Sequence, residues 1–202
     1  MSKQSGYHHG NLRDALIVAA VELIEHAGSA DFTISEAAKI AGVSPAAPYR
    51  HFKDKDALLE AVGDLYFIGL AATSKSVREA HPPGSRDAII ALGEAYLRYV
   101  CNRAAFYDLI WNERADCMVP SREPDKDSGF YIFAEAVDEW CKQHAPPEVE
   151  ALEIAVKLWA MAHGLSVLTI NGRLSQFMPQ ADTADMLGSS ANTFLDGVEK
   201  QA

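Results

Sequence analysis

The chain has 202 residues, of which 49% are hydrophobic, so it is long and apolar enough to form a packed core. No segment approaches the roughly 18 uninterrupted apolar residues of a membrane span, and the N-terminal MSKQSGYHHG lacks the apolar run of a signal peptide. The three cysteines are widely spaced, which indicates neither a disulfide framework nor a zinc site. We therefore expect a cytoplasmic protein without a metal or other cofactor.

The formal net charge is −10 at pH 7, which by itself argues against nucleic-acid binding because an acidic surface repels phosphate. The charge is unevenly distributed, however. Residues 57–202 carry −9, whereas residues 33–55 carry +2. A small cationic patch on an acidic body would favour a single orientation toward DNA.

Helical periodicity runs through the chain, and no run of four or more residues alternates convincingly between apolar and polar. The first predicted helix begins after the cap Asn11 and ends at Gly28. The second begins with the T-x-x-E capping box of Thr33 and Glu36 and ends at Gly42. The predicted fold class is therefore all-α.

The third predicted helix is short, spanning about two turns. Ser44 can cap its start, and Pro45 fits the first helical position, where a missing N–H would be unpaired anyway. Pro48 loses only the first backbone bond and is expected to face the preceding helix. Asp54 then caps a longer helix over about 55–74. The apolar stripe of this longer helix consists of Ala57, Leu58, Ala61, Val62, Leu65 and Ile68.

The second half of the chain predicts a helical bundle. The segment HPPGS at 81–85 breaks the pattern, a polar loop follows around 120–128, and Pro146-Pro147 marks a further boundary. Between and after these breaks, apolar periodicity predicts helices at about 86–102, 104–114, 129–144, 148–170 and 183–200.

A short helix held against the preceding one across a turn at Gly42 is the helix-turn-helix arrangement, whose second member enters the DNA major groove. Its small leading residues can approach base edges, and Arg50 can donate a bidentate pair to guanine. Tyr49, His51 and Lys55 can donate to phosphates. Each of these side chains alone has an ordinary structural or solvated alternative. The ordered set TISEAAKIAGVSPAAPYRHFKDKDALL at 33–59 is what favours DNA binding.

Residues 7–67 resemble the DNA-binding domain of the TetR family of bacterial transcriptional regulators, and YRHFKDKDALL at 49–59 is the most specific part. The start YHHGNLRDALI and the segment WAMAHGL at 159–165 are similar to the branch with a Trp-His-Gly signature in its C-terminal domain. The resemblance implies a helix-turn-helix domain at 1–55, a linking helix at 55–74, and an effector-binding and dimerisation domain at 75–202.

The resemblance also implies which residues contact DNA. Tyr49, His51 and Lys55 match backbone-contacting positions of the family, and the base-facing positions are Pro45, Ala46, Ala47 and Arg50. The predicted interface is completed by Thr33, Ser35, Ser44 and Lys53. At Ser35 the chain departs from the pattern, because many relatives have an arginine there, and a contact by a long cation is unavailable.

Small residues at close intervals in the predicted helices 148–170 and 183–200 would allow another pair of helices to approach closely. We expect a homodimer through these helices, since two recognition helices about 34 Å apart read successive major grooves. The resemblance implies that a small-molecule effector bound in the C-terminal domain moves the two DNA-reading heads apart. The predicted protein is thus a ligand-responsive repressor that binds a palindromic operator as a dimer.

Aromatic residues cluster on adjacent predicted helices of the second half, as in pockets for small hydrophobic ligands. The alternative is that they fill the core, and that His163 is a core or interface histidine. The candidate effector residues are Phe106, Tyr107, Trp111, Phe130, Phe133, Trp159 and His163.

Two other function classes compete with this prediction. An enzyme is disfavoured, because the chain has no G-x-S-x-G, P-loop, G-x-G-x-x-G after a strand, or H-E-x-x-H motif. A helical protein–protein interaction module without DNA binding stays open. Salt-sensitive DNA binding lost on substitution of Arg50 and Lys55 would separate it from the regulator.

Overall fold

The computed structural model describes residues 12–111 and 127–200, and within these ranges every regular element is a helix. The all-α prediction is therefore confirmed. The predicted cap Asn11 and most of the polar loop at 120–128 lie outside the described residues. The α-helices are α1 Leu12–Ala27, α2 Ile34–Ile40, α3 Lys55–Glu79, α4 Arg86–Cys101, α5 Tyr107–Trp111, α6 Gly129–His144, α7 Ala151–Ile170, α8 Arg173–Phe177 and α9 Thr183–Glu199. Two 3-10 helices span Pro48–Arg50 and Ala104–Phe106.

The chain divides into two compact units. The described part of the first consists of residues 12–66 and 105–111, and that of the second of residues 67–104 and 127–200. Helix α3 is continuous from one unit into the other, because the division falls after Tyr66.

The core of the first unit is formed by α1, α2 and the start of α3. Leu16, Ile24, Ala37 and Leu58 are fully buried, as the helical spacing of apolar residues predicts. Helix α1 ends where Gly28 adopts a φ of 72°, a left-handed conformation that favours glycine, and its N–H donates to the Ile24 carbonyl. The left-handed backbone of Gly28 therefore explains why α1 ends where the sequence predicts.

The core of the second unit lies between α4, α6, α7 and α9. Trp140 lies in this core and is only 1% exposed, and Val137 and Leu195 of the same cluster are fully buried. Arg86, at the start of α4, pairs with Asp196 and with Glu199 near the end of α9. These ion pairs tie the first turn of one helix to the last turns of another.

Two predictions about α3 are corrected by the structure. The helix extends to Glu79, beyond the expected end at 74. Leu65 and Ile68, assigned to the buried stripe, are 45% and 64% exposed. Leu58, Ala61 and Val62 of the predicted stripe are buried, and Tyr66 and Leu70 continue the buried face along the helix. Apolar residues on both faces of α3 made its periodicity ambiguous.

Smaller differences concern the second unit. Helix α7 begins at Ala151 and not at 148, after a turn in which the Val149 N–H donates to the Pro146 carbonyl. The short helix α8 was not predicted. It follows Gly172, whose φ of 64° is again left-handed.

Helix α3 is packed tightly where it crosses the second unit. A Cβ atom at Gly69 would lie 2.4 Å from the hydroxyl oxygen of Tyr99. The Tyr99 side chain is 7% exposed, and the Arg103 guanidinium lies 3.9 Å from its ring centroid. Gly69 therefore permits an approach of α4 to α3 that a larger residue would obstruct.

Helices α3 and α7 are long and apolar enough to cross a membrane by length and composition. This is weak support for a membrane protein, because core helices of water-soluble proteins meet the same criterion.

Candidate nucleic-acid interface

The turn between α2 and the following segment is closed by backbone hydrogen bonds around Gly42. Gly42 has a φ of 70° and donates to the Lys39 carbonyl at 3.2 Å, while Val43 donates to the Ala38 carbonyl at 2.9 Å. This left-handed glycine with its paired bonds is the usual helix-ending arrangement. It directs the chain out of α2 and into the segment that begins at Ser44.

The prediction of a two-turn α-helix after Gly42 is wrong about the kind of helix. The structure has a turn at 45–46 followed by the 3-10 helix Pro48–Arg50. Because Pro48 has no N–H, it cannot donate the α-helical bond to Ser44, and Ala47 bonds the Ser44 carbonyl at 2.9 Å instead. Arg50 in turn donates to Ala47 at 3.2 Å. The segment is compact, but its backbone hydrogen bonds run from residue i to residue i−3, as in a 3-10 helix, and not to residue i−4.

This segment has one buried and one solvent-facing side. Pro48 is fully buried and Phe52 is 3% exposed, and the 3-10 helix packs on α1 and α2. The expectation that Pro48 faces the preceding helix is therefore confirmed. Tyr49 is 57% exposed, and the rest of the outward side is exposed except for the half-buried Ala47. The exposed members are Ser44, Pro45, Ala46, Arg50, His51 and Lys53.

The start of α2 contributes the remaining predicted positions. Thr33 and Ser35 are exposed, and the capping box is present: the Thr33 side chain accepts from the Glu36 N–H at 3.3 Å. The Thr33 N–H in turn donates to the Glu36 carboxylate at 2.7 Å. The hydrogen bonds from Thr33, backbone first, lower the pKa of Glu36, with smaller contributions from Lys39 and Lys55.

Lys55 is placed at the first position of α3. The Asp54 carboxylate accepts from the Ala57 N–H at 2.9 Å, so the predicted cap is confirmed. The Lys55 ammonium lies 4.8 Å from the centroid of the Phe32 ring. In the same unit, the Arg13 guanidinium lies 5.5 Å from the centroid of the Phe52 ring. Neither cation–ring pair was predicted, because no sequence spacing links these residues.

The candidate effector residues fall into both compact units. Phe106 is buried in the first unit, its ring 6.3 Å from that of Tyr66, and Tyr107 and Trp111 lie on α5 nearby in sequence. Phe133 is a buried core residue of the second unit. Its role in effector binding stays a prediction.

Three of the candidates do form one cluster in the second unit. The ring of Phe130 lies 5.8 Å edge-on from that of Trp159, which lies 5.3 Å from that of His163. The Tyr96 hydroxyl is 2.8 Å from Nδ1 of His163, at hydrogen-bond distance. Burial lowers the pKa of His163, which favours the neutral form of its imidazole. Tyr96 was missed by the sequence analysis.

Within residues 12–111 and 127–200, no group of three or more His, Cys, Asp or Glu residues could hold a metal ion.

Two family models match the chain. Residues 16–62 match bacterial regulatory proteins of the tetR family, and residues 89–189 match the tetracyclin repressor-like C-terminal domain. No curated protein matches the sequence.

Solved structures share the fold across nearly the whole chain. A protein of unknown function from Rhodococcus sp. RHA1 is 24% identical with a TM-score of 0.79, covering 97% of this chain and 100% of its own. The TetR family regulator PfmR from Thermus thermophilus is 18% identical with a TM-score of 0.60, covering 90% and 97%. The fatty acid degradation regulator FadR from Bacillus halodurans is 13% identical with a TM-score of 0.59, covering 95% and 98%.

The all-α fold and the exposed turn-and-3-10 segment after α2 define a helix-turn-helix protein. The two family models, which together match residues 16–62 and 89–189, identify the family. This chain belongs to the TetR family and is a DNA-binding transcriptional regulator. The narrower assignment to the branch with a Trp-His-Gly signature stays a prediction.

Proposed function

We propose that this regulator is a ligand-responsive repressor that binds a palindromic operator as a homodimer. In this proposal residues 1–55 form the DNA-reading domain, residues 55–74 the linking helix, and residues 75–202 the effector-binding and dimerisation domain. Regulation then depends on binding and not on catalysis, and the protein acts in the cytoplasm.

One observation supports DNA reading above the others: the segment at 44–51 is anchored on one side and open on the other. Pro48 is fully buried, while Arg50 and the small Pro45 and Ala46 face solvent. Small side chains let backbone approach base edges, and an exposed guanidinium can donate two hydrogen bonds to guanine. Tyr49, His51, Lys53 and Lys55 are then the phosphate donors around it.

Dimerisation is proposed through α7 and α9. Leu152 and Val156, one turn apart on α7, are 49% and 44% exposed, and the small residues of these helices permit close helix contact. Covering such a face with a second copy removes apolar surface from water. Two DNA-reading domains also supply the contacts that one short segment lacks.

The proposed effector site is the cluster of Phe130, Trp159, His163 and Tyr96. Its polar groups are a neutral imidazole and a phenol, and the rest is aromatic surface. Such a site suits an uncharged, largely apolar molecule with one hydrogen-bonding group, since a charged ligand would lose hydration without a counter-charge.

The decisive experiment is selection of bound sequences from random duplex DNA by the full-length protein. The proposal predicts enrichment of a palindrome whose half-sites are about one helical turn apart, or a multiple of it. No enrichment would favour the alternative, an interaction module without DNA binding. Enrichment of a single half-site would leave DNA reading intact but contradict the dimer.

Substitution tests the residues within the interface. Arg50→Ala with Lys55→Ala should abolish binding to the selected sequence at physiological salt. Lys75→Ala is the matched control, because it removes an exposed cation from α3 outside the proposed interface. Normal DNA binding by the double variant would show that the site is assigned wrongly.

A further inference from the structure

We propose that Phe32 is a positioning residue for DNA binding: its ring holds the Lys55 ammonium in place at the start of α3, ready to meet a phosphate. The inference rests on the proposed function, in which Lys55 is a phosphate donor. It adds a role for a side chain that itself has little access to DNA.

The orientation of the Phe32 ring is fixed by its surroundings. Phe32 is 6% exposed, so the core of the first unit holds its orientation. It directly precedes the capping box, which fixes the backbone of the next residue, Thr33, through two hydrogen bonds with Glu36. The Lys55 backbone is fixed in turn by the Asp54 cap of α3. Two locally rigid elements therefore bring ring and ammonium to 4.8 Å.

An aromatic ring suits this task better than a carboxylate does. The ring face attracts a cation through its quadrupole but carries no net charge, so the ammonium is oriented without being neutralised. Among residues 12–111 and 127–200, Lys55 is in no ion pair. Its positive charge and N–H donors thus stay available for a phosphate.

Glu36, the acidic residue near Lys55, is already hydrogen-bonded to Thr33. Glu36 lies within electrostatic reach of Lys55, which contributes to lowering the pKa of that carboxyl. Its Oε2 accepts from the Thr33 N–H at 2.7 Å and from the Thr33 hydroxyl at 2.8 Å. The capping box therefore holds the Glu36 carboxylate on Thr33, while the Lys55 ammonium lies over the Phe32 ring. We infer that this division keeps the two charges from forming a direct pair.

The benefit to DNA binding is preorganisation. Ordering a long, flexible side chain on binding lowers affinity by about two- to tenfold. A ring that orders Lys55 beforehand should recover part of this loss. Replacing Phe32 by leucine, which keeps an apolar core residue but removes the ring, should weaken DNA binding about threefold for each Lys55 engaged.

A double-mutant cycle on DNA affinity tests the link. Phe32→Leu, Lys55→Met and the double variant are compared by their Kd for the selected operator. Phe32→Leu should weaken binding in the wild-type background and have no further effect beside Lys55→Met. An equal loss in both backgrounds would overturn the proposal and leave Phe32 a core residue only. If Lys55→Met leaves affinity unchanged, the phosphate assignment in the proposed function fails as well.

A second readout needs no DNA. In NMR spectra of the free protein, the ε-methylene protons of Lys55 should be shifted upfield by the ring current of Phe32. Exposed Lys53 provides the internal reference. The shift should vanish in Phe32→Leu and in Phe32→Met, the second being a substitute should leucine prevent folding. Lys55 protons resonating with those of Lys53 in the wild type would refute the contact itself.

Discussion

The close contact between α3 and α4 predicts an alanine substitution whose effect on stability depends on a hydroxyl group. Gly69 lies inside α3, where replacing glycine by alanine ordinarily stabilises a helix by about 1 kcal/mol. A Cβ at this position would, however, lie 2.4 Å from the Tyr99 hydroxyl oxygen, well inside van der Waals contact. Overpacking of this kind costs about 1–3 kcal/mol.

Tyr99 cannot easily move out of the way. Its side chain is 7% exposed, and Arg103 covers the ring at 3.9 Å. In the wild type, Gly69→Ala should therefore lower the free energy of unfolding by between zero and about 2 kcal/mol. In a Tyr99→Phe background the nearest remaining ring atom is Cζ at 3.4 Å, an ordinary contact. There the same substitution should stabilise by about 1 kcal/mol.

The assay is urea unfolding of four proteins, followed by far-UV circular dichroism at one fixed protein concentration. Comparing Gly69→Ala within each background cancels any other effect of removing the Tyr99 hydroxyl. The predicted result is a difference of about 1–3 kcal/mol between the two backgrounds. Equal stabilisation by Gly69→Ala in both would show that this contact does not limit the packing of α3.

Three further predictions concern single groups. Thr33→Ala removes the cap of α2 and should lower the free energy of unfolding by about 1 kcal/mol in urea, whereas Thr33→Ser should retain it. A loss as large in the serine variant would contradict the capping role. The Arg86 side chain lowers the pKa of Asp196, so the stabilisation from this pair is present at neutral pH and is lost as the pH falls through the lowered pKa. The difference in Tm between wild type and Asp196→Asn should accordingly shrink in acid, and a difference independent of pH would refute the pairing. Burial raises the pKa of the Cys141 thiol, which should be alkylated far more slowly in the native protein than in urea, as mass spectrometry can follow. Equal rates would show that the thiol is accessible.

Local signals in the sequence predicted most helix boundaries, because their causes are themselves local. The capping box at Thr33, the cap at Asp54 and the left-handed Gly28 and Gly42 all involve residues within a few positions of one another. The type of the segment after Gly42 was missed. A proline at the start of a helix fits both an α-helix and a 3-10 helix, and the packing of Pro48 on α1 and α2 is not visible in the sequence.

Contacts between residues distant in sequence were beyond prediction. Periodicity placed Leu65 and Ile68 in the core because α3 is apolar on more than one side, and only its packing distinguishes the faces. The pairing of Lys55 with Phe32, and of His163 with Tyr96, depends on which helices meet. The exposure of the segment after Gly42 fits the sequence prediction, whereas the contact of Lys55 with Phe32 could not be predicted from it.

The separation between the buried Pro48 and its exposed neighbours has a practical consequence for engineering. In the proposed function, fold and sequence preference depend on different side chains, so positions 45, 46 and 50 can be randomised together while Pro48 and Phe52 are kept. Because the buried anchors are unchanged, such a library would show whether the exposed positions set operator choice while the fold is retained.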